Sequence, residues 1–159
     1  ADNILIHLIQ HHNLAAAISL DLNFNHNVIR DALLTRDDVG IFMRQSRDNL
    51  FEGVTIQQCR HHGVFMAQTL VLAAAGWRPC PGTACTGNTF SSLLVTHCGG
   101  KAFLVNDPGC VHNAIEAAQF SGNAQGGLFQ AAANLVSVRP PSLHQVTGHA
   151  ATSAARKSL

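Results

Sequence analysis

Residues 59–75 read CRHHGVFMAQTLVLAAA and are followed by Gly76, and no other stretch of the chain limits its architecture so tightly. The polar residues gather at the beginning, and the remainder is mostly apolar or small. A run of this length predicts a helix whose far end is buried on nearly every side. Gly76 stands where a C′ glycine takes up a left-handed backbone. Cys59 then opens that helix. Unpaired backbone N–H groups at a helix start carry partial positive charge, which favours thiolate over thiol, and the thiolate is the nucleophile. Cys59 is therefore the first candidate for a chemical centre.

The flanks supply a setting. Residues 3–20 place Ile4, Leu5, Leu8, Ile9, Ala15, Ala16 and Ile18 at helical spacings behind Asp2 as a cap. A second helix is predicted over 27–34, with Val28, Ile29, Ala32 and Leu33 facing inward. A third, capped by Asp37 or Asp38, is predicted over 39–50. Residues 77–87 are rich in turn formers. Residues 89–96 and 101–106 read as two antiparallel strands turning at Gly99-Gly100. A further helix is expected over 110–120, with Val111, Ala114, Ile115 and Ala118 on one stripe. A loop over 122–127 and a last strand over 135–138 before Pro140-Pro141 complete the chain. No internal repeat is seen. The expectation is one α+β domain over 1–141, a helical N-terminal half packed on a small antiparallel sheet. Residues 142–159 form a weakly ordered extension.

Composition narrows the function classes. Hydrophobic residues make up 47% of the 159 and charged residues 12%, which describes a globular chain with a sizeable core. Ten Lys and Arg against nine Asp and Glu leave no basic surface for nucleic acid. No apolar run has the length of a membrane span, and the opening lacks the basic start and long apolar core of a signal peptide. Five cysteines are an odd count, read as mostly reduced thiols.

The run Cys59-Arg60-His61-His62, with Ala67, Leu70 and Gly76 behind it, precedes the segment Phe103-Leu104-Val105-Asn106-Asp107-Pro108. Over residues 53–109 this resembles the transglutaminase-like, papain-like superfamily of cysteine acyltransferases. The resemblance implies a papain/transglutaminase-like core and thiol-dependent acyl transfer on protein amides: proteolysis, glutamine deamidation or cross-linking. It further implies a protein substrate, no cofactor, and a bacterial effector or toxin acting in a reducing cytosol, including that of a host cell. Cys59 is then the nucleophile and Asp107 the carboxylate that orients the base. The Cys59 N–H with Gln57 or Gln58 supplies the oxyanion donors. The base stays open. A two-residue turn at Gly99-Gly100 sets Asp107 opposite Ser92 and a three-residue turn sets it opposite Ser91, leaving His97 roughly 17 Å away. His112 and His62 are the alternates. Two rival readings accompany this one. The first is a binding domain of the same fold without catalysis. The second is a zinc site drawn from Cys80, Cys85, His97, Cys98, Cys110 and His112.

Overall fold

An asparagine followed two residues later by a large apolar side chain recurs at Asn3, Asn27, Asn49, Asn88 and Asn113. In the computed structural model, which describes residues 2–73, 76–80, 82–133 and 136–139, each of these asparagines opens one coil of a parallel β-solenoid. The first coil is β1 (Ile4–Ile6), β2 (Ile9–His11) and β3 (Ala16–Leu20). The second is β4 (Val28–Arg30), β5 (Leu33–Thr35) and β6 (Val39–Arg44). The third is β7 (Leu50–Glu52), β8 (Thr55–Gln57) and β9 (Val64–Ala67). It is followed by an inserted antiparallel hairpin, β10 (Leu70–Ala73) with β11 (Gly76–Pro79). The fourth is β12 (Thr89–Ser91), β13 (Leu94–Thr96) and β14 (Phe103–Val105). The fifth is β15 (Asn113–Glu116), β16 (Gln119–Ser121) and β17 (Leu128–Gln130), and β18 (Val136–Arg139) begins a sixth.

Equivalent strands of successive coils pair in parallel and in register, giving three sheets. The first runs β1-β4-β7-β12-β15-β18, the second β2-β5-β8-β13-β16, and the third β3-β6-β9-β14-β17. Register makes like stack on like. Ile29, Phe51, Phe90 and Ile115 point inward from the first sheet, and Leu34, Ile56 and Val95 from the second. Ile41, Val64 and Phe103 point inward from the third, and all ten are fully buried. The Phe51 and Phe90 rings stack with centroids 4.4 Å apart, close to the spacing of about 4.8 Å between strands. The Phe103 ring meets Phe90 edge-on at 4.9 Å and closes the core across the coil.

The corners repeat as faithfully. His7, Asp31, Gly53, Ser92 and Ala117 take positive φ between the first and second sheets, as do His12, Arg36, Gln58, His97 and Gly122 after the second. One left-handed residue at each corner turns the chain without a long loop. At the start of β6, where the chain enters the third sheet, it presses against the core. A Cβ on Gly40 would lie 2.5 Å from the Ile56 side chain and 2.6 Å from the Gly63 carbonyl oxygen.

This architecture overturns the α+β expectation, and with it the papain/transglutaminase-like fold, the helical N-terminal half and the small antiparallel sheet. Among the described residues there is no helix. The error has a physical source. A short strand, a corner and the next strand place inward side chains three residues apart, as at Ile29 and Ala32, Phe51 and Val54, Phe90 and Leu93. That spacing is also the spacing of a helix face. Residues 59–73 form a corner, then β9, then the first strand of the hairpin, with Gly76 at φ 103° starting the return strand. Gly99 and Gly100 turn no hairpin. The Gly99 N–H donates to the Cys59 carbonyl at 2.9 Å, and β13 and β14 lie in different sheets. The absence of a repeat is also corrected, because the coils are the repeat. The extension expected over 142–159 lies outside the described residues.

Candidate functional site

Cys59 sits at the corner after β8, 2% exposed, with its side chain in the core. Its thiol lies against that of Cys98, which takes the same place one coil on. The neighbouring sulfur and burial push the Cys59 thiol far above the usual thiol range, while the hydrogen bond from Cys59 draws Cys98 down. With no helix, the field that would have favoured a Cys59 thiolate is missing. Gln57 lies on β8 in register with Thr35 and Thr96. Gln58 is the left-handed corner residue and accepts from Arg36 Nε at 3.1 Å.

The histidines and Asp107 stand apart from one another. His97 and His112 are both exposed corner residues at positive φ. His97 belongs to the corner after the second sheet, with its ring over Gly122, and His112 to the corner leading back to the first. His62 accepts the Lys101 N–H at Nδ1 over 2.9 Å. Burial, and then the adjacent His61, hold its pKa below the usual imidazole value. Asp107 accepts the Gln68 N–H at 2.9 Å and the Asn106 side-chain amide at 3.3 Å, which ties the start of the inserted hairpin to the fourth coil. Of the residues named for zinc, Cys85 meets Cys110 and Cys98 meets Cys59, as two separate pairs. Among the described residues no three His, Cys, Asp or Glu side chains gather in a metal-holding group.

The third sheet carries a different feature on its outer face. Strand alternation turns Ser19, Phe42, Phe65, Leu104 and Phe129 outward, and the register stacks them in one row along the solenoid axis. Phe42 and Phe65 meet edge-on at 5.6 Å, and Phe129 is 45% exposed. The Arg44 guanidinium stands 5.9 Å from the Phe42 centroid, held by a bidentate pair with Asp21 that also keeps the Asp21 carboxyl below its usual range. Recesses flank the row. One, of about 320 Å³, lies between Ala16, Ser19, Asp38, Phe42 and Phe65. The other, of about 430 Å³, lies between Phe42, Arg44, Gln68 and Leu70, where the inserted hairpin forms its wall. A third recess, at Ser92, Leu94, Ala117 and Gln119, contains no charged side chain.

The row went unnoticed in the sequence, although a signal was present. Ser19, Phe42, Phe65, Leu104 and Phe129 each stand fifteen or sixteen residues after the asparagine that opens their coil. Comparison with known proteins gives no matching family model, no matching curated protein and no matching solved structure.

Proposed function

We propose that this chain is a binding module for an extended neutral glycan, laid along the outer face of the third sheet beside the inserted hairpin. The observation that supports it is the straight row Phe42, Phe65, Leu104 and Phe129, one apolar side chain per coil. The apolar C–H face of a sugar ring packs against aromatic and aliphatic side chains, while its hydroxyls need donors and acceptors at the margin. Ser19, Asp38, Arg44 and Gln68 provide both kinds. A repeated surface matches a repeated polymer, and in repeat proteins the insertions tend to sit on the binding face.

Other polymers fit less well. A near-zero net charge offers little to a polyanion. An extended peptide would seek a free strand edge, whereas main-chain groups within this face are already paired between coils. Acyl transfer at Cys59 is set aside because its thiol is buried and raised, with Cys98 as its sulfur partner.

The test is retardation in native gels cast with a panel of neutral polysaccharides, followed by calorimetry on any that retards the protein. Phe65→Ala should weaken binding about tenfold, on the order of 1.4 kcal/mol, with unchanged far-UV circular dichroism. Binding by no member of the panel, or a ring variant binding as tightly as the parent, would sink the reading.

A further inference from the structure

Four of the five cysteines stack in pairs. Cys98 follows Cys59 by the interval that separates Thr96 from its register partner Gln57, and Cys110 follows Cys85 by the interval between Ala114 and its partner Thr89. Each pair therefore occupies one position of two successive coils. Both side chains point into the core, and exposure lies between 0 and 2%. The first pair sits at the corner after the second sheet, where the Gly99 N–H on the Cys59 carbonyl locks the coils together at 2.9 Å. The second sits at the corner leading back to the first sheet, where the Cys85 N–H donates to the Cys110 sulfur at 3.4 Å. Parallel coils stand about 4.8 Å apart, inside the Cα separation of roughly 4.4–6.8 Å that a disulfide spans. Cys80 belongs to neither stack, being half-buried beside the hairpin.

We propose that Cys59 with Cys98, and Cys85 with Cys110, are two dithiol sites that close into coil-to-coil disulfides by exchange with a small-molecule disulfide such as oxidised glutathione. In the first site the Cys98 thiolate attacks one sulfur of the donor, whose S–S bond breaks and releases one glutathione thiolate. That thiolate takes the proton of Cys59. The Cys59 sulfur then attacks the Cys98 sulfur of the mixed disulfide and releases the second glutathione. Two protein thiols are oxidised, one glutathione disulfide is reduced to two thiols, and the atoms balance. The Cys85 N–H on the Cys110 sulfur favours Cys110 as the attacking sulfur of the second pair, and the hydrogen bond from Cys59 favours Cys98 in the first. Burial makes the reaction wait on local opening of the corner.

The experiment uses the full chain, reduced and desalted, then incubated with oxidised glutathione in mild urea. Remaining thiols are alkylated and the protein is mapped by mass spectrometry. The expected map has Cys59 linked to Cys98 and Cys85 linked to Cys110, a loss of four hydrogens over those four residues, with Cys80 outside both bridges, carrying glutathione or the alkyl group. Its melting temperature should rise by roughly 5–15 °C and return on reduction, because each bridge closes a long loop. Cys59→Ser should leave Cys98 as a stable glutathione adduct while the second pair still closes. If that variant does not fold, the map of the parent protein decides alone. Bridges to Cys80, crossed pairs, adducts that never close, or no bridges at all would overturn the proposal.

Discussion

Asp37 is 1% exposed, and its two carboxylate oxygens fare differently. Oδ1 accepts from the Asn13 N–H and side-chain amide, both at 2.8 Å, while Oδ2 has no partner. Burying a half-satisfied carboxylate is costly, and an amide would keep the accepting oxygen while removing the charge. Asp37→Asn should therefore raise stability by about 1 kcal/mol, read as the urea midpoint at neutral pH; an equal loss would show that the carboxylate has a partner the amide cannot replace. His62 gives a pH dependence of known sign. Its folded pKa lies below the unfolded value, and its Nδ1 must stay unprotonated to accept from Lys101. The stability it contributes is complete above the unfolded imidazole pKa of about 6.5 and is lost as pH falls through the folded value. The melting temperature should drop on acidification from pH 7 toward 5, and His62→Gln should flatten that slope; a variant with the parent's slope would shift the cause elsewhere. Iodoacetamide should label half-buried Cys80 before Cys59, Cys85, Cys98 or Cys110. Early labelling of Cys59 in the folded protein would restore the nucleophile.

At the scale of the element, the asparagine column holds the coils in register. The Asn27 N–H and amide both donate to Asn49 Oδ1, at 2.9 and 2.8 Å, and the Asn49 amide passes the pattern to Asn88 Oδ1 at 2.9 Å. Asn49→Ala strands the buried Asn27 N–H and leaves the Asn27 amide only the Asn25 carbonyl, and should cost about 2–3 kcal/mol, measured by urea unfolding. A loss below about 0.5 kcal/mol would mean the column is ornament. An apolar core with few charges was legible in the sequence, whereas the five asparagines, each two residues ahead of a large apolar side chain, passed unread. Strands were legible over 89–96, 101–106 and 135–138, though not their parallel pairing, and elsewhere they were not, because three-residue strands are too short to show their alternation before a corner resets it. Ile115 and Ala118 thus imitated a helix stripe while belonging to a strand and a corner. Cys59 was read as a helix-start nucleophile and is a buried core thiol, and its neighbour Cys98 is brought to it by a register that the unequal coil lengths conceal. The inserted hairpin hid that register most, by separating Asn49 from Asn88 with a far longer interval than the other coils show.

At the scale of the whole molecule, the described residues form a stack in which each coil packs on its neighbours, so its stability is close to a sum of neighbour terms. The hairpin stands outside that sum. Without β10 and β11, the third coil would return from β9 to Asn88 through a corner like that between Arg44 and Asn49. Cys85 would stay, since it stacks on Cys110 and lies three residues before Asn88, as Ser46 lies before Asn49. Deleting residues 70–83 keeps Gln68 and its bond to Asp107, as well as Ala84 and Cys85 in the core. The melting temperature should therefore move by less than about 5 °C, with circular dichroism unchanged. The same deletion removes the Leu70 wall from the recess beside Phe42 and Arg44 while leaving Phe42, Phe65, Leu104 and Phe129 in place. Glycan binding should fall by about tenfold without vanishing, a loss of roughly 1.4 kcal/mol. Comparing this variant with Phe65→Ala in one calorimetric series separates wall from row. Retained affinity in the folded deletion would remove the hairpin from the binding face. Collapse of the fold would instead place the hairpin among the elements that hold the third and fourth coils together.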